Sequence, residues 1–200
     1  MKLDICKDLT FEDFGHVYML NGTRLPSTTQ IMKPLTNEVY GAIDENVLRA
    51  AADRGTTVHE GFELYLEYGA EDLPLDYKGY LDGFKKFLAD YKVKAIATEQ
   101  RFYHKIFRYA GTADLIAEIK GETILIDYKT TAQLQKKLTT VQLAAYKNAL
   151  KSNGINIDGA AILHVDKDGG YKFIRHDDVH AGWDVFLALL KIYQYGREAA

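Results

Sequence analysis

Apolar positions alternate with a period of two in several short stretches and recur every three or four residues in others. HVYML, then Asn21-Gly22, then TRL predicts two strands joined by a tight hairpin turn. Ser27-x-x-Gln30 has capping-box spacing, so a short helix is expected after Pro26. Over residues 44–68 an apolar stripe at helical spacing runs through Val47, Leu48, Ala51, Val58, Phe62, Tyr65 and Leu66. Gly55 interrupts it at a cost of about 1 kcal/mol against alanine, which predicts a close approach to the backbone there. Residues 76–91 form a second predicted helix, with Tyr80, Phe84, Phe87 and Leu88 on one face.

Strands are expected over 95–103, 109–119 and 122–129, then a helix over 138–151. Two more strands, 159–165 and 171–175, flank the polar turn DKDGG, and an apolar helix covers 179–195. This order predicts one α/β domain spanning residues 1–200, with a central mixed sheet and helices on both faces. Two hundred residues with 47% hydrophobic and 26% charged side chains suit a single buried core. No apolar run reaches the roughly 18 residues a membrane span needs, and MKLDICKDLT does not read as a signal peptide. The single Cys6 excludes an intramolecular disulfide and a cysteine-ligated zinc or iron–sulfur site within the chain. A cytoplasmic setting, in a bacterium or a phage-infected host cell, is the expectation.

The net charge of −3 conceals an asymmetry. Residues 85–151 carry 13 Lys and Arg against 6 Asp and Glu, a net of +7, which leaves −10 for the remainder. A block containing Arg101, Lys105, Arg108, Lys129, Lys136, Lys137, Lys147 and Lys151 suggests a face for a polyanion.

The chemistry concentrates in GTADLIAEIKGETILIDYKTT, residues 111–131. If Lys120-Gly121 makes a two-residue turn, Ile119 pairs with Glu122 and Asp114 falls opposite Asp127. Directly opposed side chains have Cβ atoms about 4.5–5.5 Å apart, so two carboxylates there can share one cation. Asp127 and Lys129 are two apart and face the side that carries Leu125 and Ile116. The other face offers Leu115, Ala117, Ile124 and Ile126, so both faces are apolar and the strands are central. Two such acids repel unless a cation lies between them. The competing explanation is a structural ion pair of Lys129 with one acid, which leaves the second uncompensated. Oxygen ligands with room for water suit Mg²⁺ or Mn²⁺. A cation so held can polarise a phosphate and acidify bound water, while a nearby lysine orients or deprotonates that water.

GTADLIA followed by ILIDYKTT resembles the D-x(n)-D-x-K signature of the PD-(D/E)XK nuclease superfamily. VQLAAYKNAL resembles the Q-x-x-x-Y motif of its RecB-like branch, and RGTTVHE resembles that branch's upstream helix. LPSTTQIM is similar to a segment of phage-type and mitochondrial genome-maintenance exonucleases. The resemblance covers residues 16–150 and implies a restriction-endonuclease-like core. It implies Asp114, Asp127 and the Tyr128 carbonyl as metal ligands, with His59 completing the shell. Lys129 is then the catalytic lysine that positions water, and Gln142 and Tyr146 contact DNA or brace the site. The superfamily's motif proline is absent, with Gly111-Thr112-Ala113 before Asp114.

Glu99, on the strand before Asp114, is a candidate ligand for a second metal. Glu60 and Glu63 flank His59 and are expected to face water. The leading reading is a Mg²⁺- or Mn²⁺-dependent DNA exonuclease in recombination, repair or end processing. DNA is its expected partner, with a recombination protein as a further one and no membrane. The alternatives are a non-catalytic DNA-binding module and a structure-specific endonuclease.

Overall fold

The structure is a computed structural model that describes residues 1–12, 14–176 and 178–198, with residue 198 in its backbone only. A small antiparallel sheet opens the chain, made of β1 (Leu9–Glu12), β2 (Val17–Leu20) and β3 (Thr23–Leu25). Asn21 and Gly22 both take positive φ, 51° and 77°, as a turn matched to strand twist requires. Ser27 caps α1 (Thr28–Ile31) through a complete capping box, and α2 (Lys33–Tyr40) follows with a proline in its first turn. Then come α3 (Glu45–Tyr68) and, after a short 3-10 turn, α4 (Lys78–Asp90).

The main sheet has the order β4 (Lys94–Tyr103), β5 (Ala110–Ile119), β6 (Glu122–Lys129), β7 (Gly159–Val165), β8 (Tyr171–Arg175). Only β6 and β7 run parallel, which makes the sheet mixed and requires a crossover. That crossover is α5 (Lys136–Ser152), and α6 (His180–Glu198) closes the chain. One face buries Ile116, Leu125 and Ile162 under α5 and α6, with Ile31 of α1. The other buries Leu115, Ala117, Ile124, Ile126 and Leu163 under Val58, Phe62, Phe84 and Phe87 of α3 and α4. Helices therefore cover both faces, as the alternation within β5 and β6 predicts. Among the described residues no helix is long and apolar enough to cross a membrane.

Three local expectations need correction. Strand β1 and helix α2 are not among the predicted elements; both are short, and α2 has no fully buried residue. Val47 and Leu48 are exposed (59% and 36%), because α3 meets the sheet only from Val58 onward. Gly55 is not closely approached: a Cβ there would meet only Thr130 Oγ1 at 3.9 Å. The tight glycine of α3 is Gly61, where a Cβ would lie 2.5 Å from Leu73 Cγ.

Candidate metal centre

The β5–β6 turn has the predicted register, Ile119 with Glu122 and Leu115 with Ile126. Lys120 and Gly121 both take positive φ, 53° and 84°. The ladder then ends one pair short of the acids. Asp114 thus lies just beyond the last β5–β6 pair, and its Oδ2 accepts the Tyr128 N–H at 2.6 Å. Its Oδ1 lies 3.6 Å from His59 Nδ1 on α3, the helix covering the opposite face. Gly111, three residues before Asp114, permits close packing: a Cβ there would meet Phe102 at 2.7 Å and Thr28 Oγ1 at 3.2 Å.

Asp127 faces α5, as the alternation predicts. Its Oδ1 accepts from Gln142 Nε2 at 2.9 Å, and its Oδ2 lies 2.6 Å from Lys129 Nζ. Gln142 also accepts from Lys129 at 3.3 Å and donates to the Tyr146 hydroxyl at 3.1 Å. Gln142 and Tyr146, one helical turn apart, brace the Asp127–Lys129 pair. The ion pair considered from sequence therefore exists. The second acid is not left uncompensated, because Asp114 has His59 and a backbone N–H.

Donor atoms of His59, Glu99 and Asp114 lie within 4.8 Å of one another, a spacing that could hold a metal ion. Glu99 stands opposite Asp114 because Thr98 pairs with Leu115 and Gln100 with Ala113. Its φ is 45°, a left-handed conformation that costs a non-glycine residue about 1–3 kcal/mol. The structure thus gathers His59 and Glu99 around Asp114, whereas the hairpin reasoning paired Asp114 with Asp127 alone. Tyr128 sends its ring to the α3–α4 side, 5.3 Å from the His59 ring. Of the flanking acids, Glu60 is exposed, but Glu63 is paired with Lys2 at 2.9 Å. Lys2 is the residue that sequence reasoning missed. It is remote in sequence and carries no motif.

Electrostatics divides the acids. Burial alone would raise the Asp114 carboxyl, but His59, Lys129 and the Tyr128 N–H outweigh it and hold the group below its ordinary range. Burial, then the charge of Asp114, keeps Asp127 above its ordinary range despite Lys129 beside it. Burial disfavours the charged forms of His59 and Lys129. The neighbouring carboxylates overcome this and raise both. Glu99 is pushed up to about 8, first by burial and then by Asp114. A third acid that is unfavourable to ionise beside two hard or borderline donors is a site that a divalent cation would relieve.

This sets a pH prediction. Between its ordinary range and about 8, Glu99 keeps a proton in the folded chain that the unfolded chain has lost. Stability then falls as pH rises through that window. Metal-free Glu99→Gln is expected to melt several degrees above wild type at pH 8, with the gap closing toward pH 5. Calorimetric melts at the two pH values measure it, and a gap independent of pH contradicts the assignment.

A cavity of about 540 Å³ opens onto this cluster, and Lys2, Tyr18, Glu63, Glu99, Arg101 and Tyr146 are among the residues that line it. His59 and Asp114 also line this cavity, whereas Asp127 and Lys129 are not among its lining residues. Residues 35–181 match the family description of the PD-(D/E)XK nuclease superfamily, and the chain belongs to that superfamily. It is 26% identical over 211 residues to mitochondrial genome maintenance exonuclease 1 of Xenopus tropicalis. That alignment covers 90% of this chain and 60% of the relative, so the chain spans less than two thirds of that protein. Among solved structures, an alkaline exonuclease from Laribacter hongkongensis superposes with a TM-score of 0.33 and 14% identity, covering 70% of this chain and 82% of that one. The same enzyme in complex with dAMP gives 0.34 and 12%, covering 88% and 93%.

Proposed function

We propose that this nuclease is a divalent-metal-dependent DNA exonuclease acting in recombination, repair or DNA-end processing. The observation that carries the reading is the convergence of His59, Glu99 and Asp114 beside the Asp127–Lys129–Gln142 network. His59, Glu99 and Asp114 would hold Mg²⁺ or Mn²⁺, with Asp127 and the Tyr128 carbonyl completing the set. Such an ion supplies Lewis acidity at a phosphate and acidifies a bound water.

The remaining work falls to the chain's own residues. Lys129 is held protonated by Asp127 and Asp114, so its part is to donate hydrogen bonds to the attacking water and the phosphate rather than to remove a proton. Gln142 keeps Asp127 oriented, and Tyr146 keeps Gln142 in place. Arg101, on the cavity wall, offers a cation to the DNA backbone outside the reacting phosphate. The exonuclease assignment draws on the name of the Xenopus relative, and DNA as substrate draws on the family and on the basic block.

The test is incubation of the full chain with end-labelled linear and with circular DNA, single- and double-stranded, with Mg²⁺, Mn²⁺ or EDTA. Release of mononucleotides or short products from linear DNA alone, in the presence of metal, is expected. Cleavage of circles would make it an endonuclease. Binding without cleavage of any substrate would make it a DNA-binding module.

A further inference from the structure

Lys2 meets the metal centre from the chain's first residues. Its ammonium donates to the carbonyls of Thr98 and Glu99, at 2.7 and 2.9 Å, and to Glu63 Oε1 at 2.9 Å. A lysine ammonium has three N–H donors, and all three are committed. The backbone on either side is docked on β4. Thr98 N–H donates to the Met1 carbonyl at 3.0 Å, and Leu3 N–H donates to Gln100 Oε1 at 2.5 Å. Lys2 is therefore stapled along the stretch where β4 turns left-handed at Glu99.

A left-handed residue inside a strand turns its carbonyl out of the ladder, where it needs a partner. The Lys2 ammonium provides one, and ties the same point to Glu63 on α3, one turn beyond His59.

We propose that Lys2 is a positioning residue of the metal centre. By clamping the Thr98 and Glu99 carbonyls to Glu63, it holds the Glu99 carboxylate toward His59 and Asp114, and so sets the affinity of the cluster for a divalent cation. The proposal rests on the reading of that cluster as the metal site. Its sign is opposite to that of simple electrostatics. A lysine that was merely nearby would repel the incoming cation, and its removal would tighten binding. A lysine that positions a ligand weakens binding when removed, and loss of such an outer partner typically costs about 10–100-fold in metal affinity.

The experiment is calorimetric titration of Mn²⁺ into the metal-stripped full chain, without DNA, for wild type and for variants at Lys2, Glu63 and Asp114. Lys2→Met is expected to weaken Mn²⁺ binding by about tenfold or more. Lys2→Arg should recover most of that loss, because a guanidinium can still donate to two carbonyls and a carboxylate. Glu63→Gln should weaken binding in the same direction, and the double variant with Lys2→Met should be no weaker than Lys2→Met alone, since both changes break one clamp. Lys2→Gln serves as the test if Lys2→Met does not fold, because loss of the Glu63 carboxylate would weaken cation binding by charge alone. Asp114→Asn separates the two layers of the argument. If it leaves Mn²⁺ binding intact, the cluster is not the metal site and the role of Lys2 falls with it. If it abolishes binding while Lys2→Met binds Mn²⁺ as tightly as wild type or tighter, the metal site stands and the clamp is overturned.

Discussion

Asp114→Asn is expected to lower DNA cleavage, at Mn²⁺ concentrations that saturate wild type, by about a thousandfold or more, while the metal-free protein melts close to wild type. Two features of the structure set these opposite outcomes. Asparagine keeps the size of the side chain and an oxygen to accept the Tyr128 N–H, so the ladder end that Asp114 closes is preserved. What it removes is the negative charge that His59 and Glu99 flank. A cation correctly held at a reacting phosphate is worth several kcal/mol of transition-state stabilisation, and each 1.36 kcal/mol is tenfold in rate. Single-turnover cleavage of end-labelled DNA, with melts in EDTA alongside, measures both quantities. Near-native cleavage by the variant would place the active centre elsewhere.

The second large effect concerns Lys129. Lys129→Met should cut single-turnover cleavage by roughly 10²–10³-fold, the range found for removing one preorganised hydrogen-bond donor from developing negative charge. Mn²⁺ affinity should be unchanged or slightly tighter, because a positive charge has left the neighbourhood of the site. A contact made only in the transition state shows in the rate and not in ground-state binding. The price appears in stability. Asp127 is buried and Lys129 lies 2.6 Å from it, so the variant leaves a buried carboxylate with Gln142 as its remaining side-chain partner. The metal-free variant should therefore melt below wild type at pH 8, and Mn²⁺ should restore part of the loss. If calorimetry showed that Mn²⁺ binding had vanished instead, Lys129 would belong to the architecture of the site rather than to its chemistry.

The sequence was most legible where periodicity and turn chemistry agreed. The Lys120-Gly121 turn placed the β5–β6 register correctly through Leu115 and Ile126, and the alternation placed Asp127 and Lys129 on the α5 side. The elements from β4 to β8 lie close to their predicted limits, since their apolar runs are long and each is bounded by polar turn residues. The reading stopped short where backbone geometry departs from a regular ladder. Opposed carboxylates were expected from an uninterrupted hairpin, but the ladder opens one pair earlier, which lets Asp114 reach His59 across the end of the sheet. The left-handed turn at Glu99 brings a third acid into the cluster, and nothing in ATEQRF signals a positive φ. His59 and Glu99 were visible only as candidates, because a contact between a helix and a strand forty residues away leaves no periodic trace. Lys2 left no trace at all. Val47 and Leu48 misled in the other direction: helical spacing marks an apolar face but not whether the sheet extends far enough to cover it.

The central claim is that one divalent cation sits among His59, Glu99 and Asp114. Metal-directed cleavage of the protein chain tests it most directly. Fe²⁺ bound in place of Mn²⁺, with ascorbate and peroxide, generates hydroxyl radicals that cut the backbone beside the bound ion. The expected cuts map close to residues 59, 99 and 114, with a weaker one near 127, and excess Mg²⁺ or Mn²⁺ suppresses them together. Cuts clustered elsewhere in the chain, or insensitive to competing Mn²⁺, would contradict the assignment.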